Sequence, residues 1–150
     1  RPGSIQSEIR VGRAVVPATH PDYYSLLMAN TLLGGSGSDR LYLNIREDKG
    51  YTYTPASSLV PYERGGTIEA EAAVRNEVTA AAVMEILYEF DRLGTTVTPE
   101  DELDRAKRFQ TGIYLLRNET CSGVANTLST YWIRGQDATA LTQFVSRVTG

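Results

Sequence analysis

The order of strand and helix patterns predicts an α+β fold: a largely antiparallel sheet covered by helices on one face. Three observations carry this. The order reads strand, helix, short helix, strand, strand, and then helices to the end. Two of the extended runs are consecutive and joined across Glu63-Arg64-Gly65-Gly66, a hairpin signal. No repeat at solenoid spacing and no low-complexity segment interrupts the pattern.

Ile5 to Val16 reads as the first strand, with Ile5, Ser7, Ile9 and Val11 on one face and Gln6, Glu8 and Arg10 on the other. Pro17 closes it. Pro21 suits a first helical position, with Thr19 or His20 as cap, and the helix runs to about Leu33. Its apolar residues cover much of the circumference, which predicts burial. A glycine-rich loop follows, and then a short helix with Ser38 as N-cap, Asp39 in its first turn, and Leu41 and Ile45 four apart on one face. Gly50 stands where a left-handed cap ends a helix. A strand is then expected over Tyr53 to Tyr62, its entry placing Tyr51 and Tyr53 on one face. Thr67 to Val74 alternates Ile68, Ala70, Ala72 and Val74 against Thr67, Glu69 and Glu71.

Asn76 is expected to cap a helix reaching about Leu93, with Val83, Ile86, Leu87 and Phe90 on one face and Gly94 ending it. Thr98-Pro99-Glu100-Asp101 is a helix start with a hydroxyl cap, proline at the first position and acids at the positive end. That helix carries Leu103, Ala106, Ile113 and Leu116. The next, Thr120 to Arg134, aligns Val124, Leu128, Tyr131 and Trp132, and Ala138 to Val148 is helical too. The 150 residues make one domain. The chain opens at Arg1-Pro2-Gly3 without a methionine and reads as a piece of something longer, with a closing helix and strand expected beyond Gly150.

Composition excludes several classes. A net charge of -3, with no basic stripe, argues against a nucleic-acid partner. No apolar run approaches a membrane span. The single histidine, His20, cannot build a zinc site that needs about three protein ligands, and it reads as a cap or surface residue. Cys121, the only cysteine, reads as a small buried residue. Gly35-x-Gly37 lacks the context and third glycine of a dinucleotide loop. Glu69 and Glu71 read as a solvated strand face.

Arg46 and Tyr53 remain. Arg46 falls in the last turn of the short helix and Tyr53 just past the Gly50 turn, so the two can point at one spot. A guanidinium and a phenol cannot activate water, but both donate hydrogen bonds to a carbonyl or a developing oxyanion. Taken alone, each suits a structural role: Arg46 as a cation at a helix C-terminus and Tyr53 as a strand aromatic.

At these residues the chain resembles a known family. Leu32-Leu33-Gly34-Gly35, then Arg40-Leu41, then Asn44-Ile45-Arg46-Glu47-Asp48-Lys49-Gly50-Tyr51-Thr52-Tyr53 resembles the second-domain signature of the pitrilysin/insulinase-type zinc metallopeptidases, which include the mitochondrial processing peptidases. Ile9-Arg10-Val11-Gly12, His20-Pro21-Asp22-Tyr23-Tyr24 and Thr98-Pro99-Glu100 match the same domain. The resemblance implies an enzyme built of halves, each a pair of similar α+β domains, closing around a peptide. Zinc sits in a first domain on a His-x-x-Glu-His helix, and the second domain of the facing half lends an arginine and a tyrosine that bind the substrate backbone. Arg46 and Tyr53 match that pair, and the loop Gly34, Gly35, Ser36, Gly37 and Ser38 matches one that touches substrate in some relatives. This chain has no His-x-x-Glu-His. No metal is therefore expected in it, and zinc is expected in a partner domain or subunit. The implied partners are a peptide or protein substrate and a zinc-bearing homologous half, in a homodimer or heterodimer. The alternative is a catalytically inactive structural subunit, as in the core proteins of respiratory bc1 complexes.

Overall fold

The computed structural model describes residues 3–150; Arg1 and Pro2 lie outside them. Three strands, β1 (Gln6–Val15), β2 (Ala56–Pro61) and β3 (Gly66–Arg75), form one antiparallel sheet in the order β1-β3-β2. The helices are α1 (Tyr23–Leu33), α2 (Thr79–Thr95), α3 (Glu100–Arg117), α4 (Cys121–Ile133) and α5 (Ala140–Thr149), with a short π-helix at Tyr42–Asp48. The α+β expectation holds.

β3 is the central strand because its alternation suits burial of one face. Ile68, Ala70, Ala72 and Val74 are all buried, while Glu69 and Glu71 meet Arg10 of β1 on the other face, at 2.8 and 3.2 Å. Small alanines there let α2 approach closely, and Ala82 and Ile86 seal the core with Ile9, Leu33, Leu41 and Ile45. A second cluster joins Tyr23, Tyr24, Met28 and Leu32 of α1 to Ala106 of α3 and to Phe144 and Val148 of α5. Tyr114 stacks on Phe144 at 3.9 Å between ring centres.

The two sheet edges differ. The Ser57 N–H turns away from β3 and donates to the Gly34 carbonyl at 2.9 Å, and Pro61 has no N–H to offer. The outer side of β2 is therefore short of free donors, as protected edges are. By the same alternation the outer N–H and C=O groups of Glu8, Arg10, Gly12 and Ala14 in β1 find no backbone partner among the described residues.

Several boundaries move. β2 begins at Ala56, after Pro55, and residues 51–55 are irregular. Tyr51 and Tyr53 consequently do not share a face: Tyr51 packs on the core while Tyr53 is 74% exposed. Asn76 does not cap α2; its side chain ties Ser4 and Ser7 across to the end of β3. Gly94 lies inside α2, which continues to Thr95, and Leu87 points outward. Trp132 is exposed because Tyr131, its neighbour about 100° around the helix, is the residue that α4 buries. Leu116, near the end of α3, and Ile5, ahead of β1, are exposed as well. Cys121 is a free exposed thiol at the start of α4, a correction of its expected burial; the helix is capped there by Thr120, whose Oγ1 accepts from the Gly123 N–H at 3.1 Å. His20 is exposed, a surface residue as read, and its Nδ1 accepts the Asp22 N–H at 3.2 Å ahead of α1.

Candidate functional site

The segment from Gly34 to Tyr53 is held at three points. The first is Gly34. A Cβ there would lie 2.5 Å from the Ser57 nitrogen, so only glycine permits this approach of α1 to β2. The second is Asp39, which replaces Ser38 as the cap. One of its carboxylate oxygens accepts the N–H groups of Ser36 and Gly37 at 3.0 and 2.7 Å; the other accepts that of Tyr42 at 3.0 Å. A single buried carboxylate thus orders the loop and starts the helix. The third is Gly50, at φ 63°, whose N–H returns to the Arg46 carbonyl while that of Tyr51 reaches the Ile45 carbonyl.

Between these points the helix is wound wide: the Lys49 N–H reaches back five residues to the Asn44 carbonyl at 3.0 Å. Such turns often sit at functional sites. Leu41 and Ile45 remain fully buried, Leu43 and Glu47 face outward, and Tyr42 and Arg46 are half-buried on the flank between. The Arg46 guanidinium carbon lies 4.2 Å from the centre of the Tyr53 ring and 4.6 Å from that of Tyr42. Arg46 and Tyr53 are therefore brought together. The Arg46 side chain keeps 28% exposure and, among the described residues, pairs only with the neighbouring Glu47, at 3.3 Å.

The five loop residues divide by depth. Gly34 is buried at the root, Gly35 and Ser36 are half-buried, and Gly37 and Ser38 form the exposed tip. Ser36 and Ser38 border a cleft of about 590 Å³ on the far side of the short helix, lined by neither Arg46 nor Tyr53. Its floor holds a polar network that the sequence pattern did not reveal. Arg40, 4% exposed, forks onto both carboxylate oxygens of Glu102 at 2.7 and 3.0 Å and donates to Thr98 at 3.2 Å. Its pKa rises further above the usual arginine value, chiefly through the Glu102 hydrogen bond. Asn44 donates to Glu85 and to the buried Glu89, which also meets Arg92. Thr98 was expected to cap α3; its hydroxyl accepts from Arg40 instead.

Among the described residues no group of three or more His, Cys, Asp or Glu side chains is placed to hold a metal ion. Among the same residues no helix is long and apolar enough to cross a membrane. Residues 2–109 match the family described as the peptidase M16 inactive domain. The chain belongs to that family. It is 30% identical over 118 residues to an uncharacterized zinc protease YmxG of Bacillus subtilis, a match covering 77% of this chain and 28% of that protein. It is 33% identical over 108 residues to a non-peptidase homolog YmxG of Helicobacter pylori, covering 69% of this chain and 24% of that one. The chain thus spans about a quarter of the length of these relatives. The peptidase M16 inactive domain from Pseudomonas fluorescens superposes with a TM-score of 0.87 at 22% identity, over 97% of this chain and 35% of that one, which establishes the fold.

Proposed function

We propose that this inactive domain of the zinc protease family is a peptide-binding element, using Arg46 and Tyr53 to hold a substrate's main chain. The observation that carries this reading is the stacking of the Arg46 guanidinium on the Tyr53 ring at 4.2 Å, on an exposed surface. Stacking covers the faces of the guanidinium and leaves its in-plane N–H groups, the ones that donate to carbonyls. The Tyr53 hydroxyl, free in solvent beside them, is a second donor for a carbonyl oxygen that gains charge. Among the described residues no side-chain group is placed to hold zinc; in this reading it belongs to another domain or subunit, and the contribution made here is binding, orientation and oxyanion donation.

The test is an assembly with a zinc-bearing homologous half, assayed for peptide cleavage with Arg46→Ala and Tyr53→Phe. Loss of turnover at unchanged stability supports the reading; full turnover by both variants removes these residues from it. A second reading, a catalytically inactive structural subunit, draws on the Helicobacter pylori relative described as a non-peptidase homolog. Co-purification separates the two: a zinc-bearing peptidase half favours the first, and a membrane complex the second.

A further inference from the structure

We propose that Tyr42 is a positioning residue for Arg46, a fixed shelf that holds the guanidinium edge-on to the peptide; this rests on the peptide-binding reading above. Two rings flank Arg46, and they are not equivalent. Tyr53 sits on the irregular segment after Gly50 and is 74% exposed. Tyr42 is half-buried and lies one helical turn before Arg46, on the same face. Its backbone N–H is held by the Asp39 carboxylate at 3.0 Å, the same carboxylate that takes the Ser36 and Gly37 amides. The order of the glycine loop therefore passes to Tyr42, and from Tyr42 to Arg46 through a ring whose centre lies 4.6 Å from the guanidinium carbon.

The chemistry follows from the shape of the group. A guanidinium is flat and carries all five N–H donors in its plane. With the Tyr42 and Tyr53 ring centres 4.6 and 4.2 Å from its central carbon, the guanidinium has two aromatic contacts that restrict its rotation. Without Tyr42 the side chain gains rotamers on the helix surface and must be ordered again each time a peptide binds. Tyr42 itself touches no substrate; it acts through Arg46.

The experiment uses the 150-residue chain with Tyr42→Leu, Tyr42→Phe and Arg46→Ala. The first readout is the Arg46 side-chain proton resonances, which ring currents displace. The second is affinity for an unstructured synthetic peptide, measured by titration, with the thermal midpoint recorded to confirm folding. Tyr42→Leu is expected to move the Arg46 resonances toward those of a free arginine and to weaken the peptide about two- to fivefold, the size of one exposed cation–π contact. Tyr42→Phe keeps the ring and is expected to restore both. Unmoved Arg46 resonances in Tyr42→Leu overturn the shelf. So does a shift without weaker binding, in a protein whose Arg46→Ala variant binds poorly. Equal peptide affinity in the parent chain and Arg46→Ala overturns the peptide-binding reading and the role of Tyr42 in it, while the resonance shift still reports separately on whether Tyr42 holds the guanidinium.

Discussion

Two arginines six residues apart, Arg40 in the turn that leads into the short helix and Arg46 within it, do opposite work. Arg40 is 4% exposed and its charge is answered by a two-pronged pair with Glu102 from α3. Among the described residues Arg46 meets no charge beyond its neighbour Glu47, and its guanidinium carbon lies against two aromatic rings at the surface. A guanidinium fixed by a carboxylate turns an edge of its in-plane donors to that partner, as Arg40 turns Nε and Nη2 to Glu102 and Thr98, and serves the fold. One fixed by rings still has them to give. The sequence shows the same residue type twice; what separates the roles is whether the partner meets the edge or the face.

The sharpest way to break this contrast is at Arg40. Arg40→Ala leaves Glu102 without its cation, and removing one member of a buried pair costs about 3–5 kcal/mol. Because the Glu102 side chain keeps 21% exposure, the lower end, about 3 kcal/mol, is expected in a denaturant melt. Arg46→Ala in the same melt is expected to change little. Tyr53→Phe inverts the pattern: unchanged stability, and turnover in the assembled peptidase lower by about 10²–10³-fold, as when one oxyanion donor is lost. Gly34→Ala drives a methyl against the Ser57 nitrogen and is expected to destabilise by about 1–3 kcal/mol, a cost of overpacking visible as a lower thermal midpoint.

The smallest expected effect concerns pH. Burial raises the hydroxyl pKa values of Tyr23, Tyr24 and Tyr131, in Tyr131 assisted by a hydrogen bond to Tyr114. A group whose folded pKa exceeds its unfolded one, about 10 for tyrosine, stabilises fully below that pH and progressively less above it. Stability is thus expected to be flat up to about pH 10 with respect to these groups and to fall beyond it. Tyr131→Phe should flatten part of that fall in melts recorded between neutral and alkaline pH, without altering the Arg46 surface.

Much of this architecture was legible beforehand because it depends on local pattern. The alternation of β3 announced its buried face, Gly50 announced the end of the short helix, and the placement of Arg46 and Tyr53 around that turn announced their meeting. What could not be read depends on distant partners. Nothing local marks Arg40 as buried, since its carboxylate comes from a helix 62 positions on. Thr98 has the form of a helix cap, and only that distant arginine explains why its hydroxyl is otherwise engaged. Asp39 was placed in a first turn, where an acid is always welcome; its grip on the loop amides needs the loop to fold back. The exposure of Trp132 escaped periodicity because adjacent residues cannot share a buried stripe, and packing chose Tyr131.

The central claim is that Arg46 and Tyr53 act as one unit on a peptide main chain. A double-mutant cycle of Arg46→Ala and Tyr53→Ala on peptide affinity tests it most directly. Coupling of at least about 0.5 kcal/mol, with the double variant losing less than the sum of the single losses, is the result expected of groups in contact. Losses that add to within about 0.3 kcal/mol, or no loss in either single variant, would contradict it.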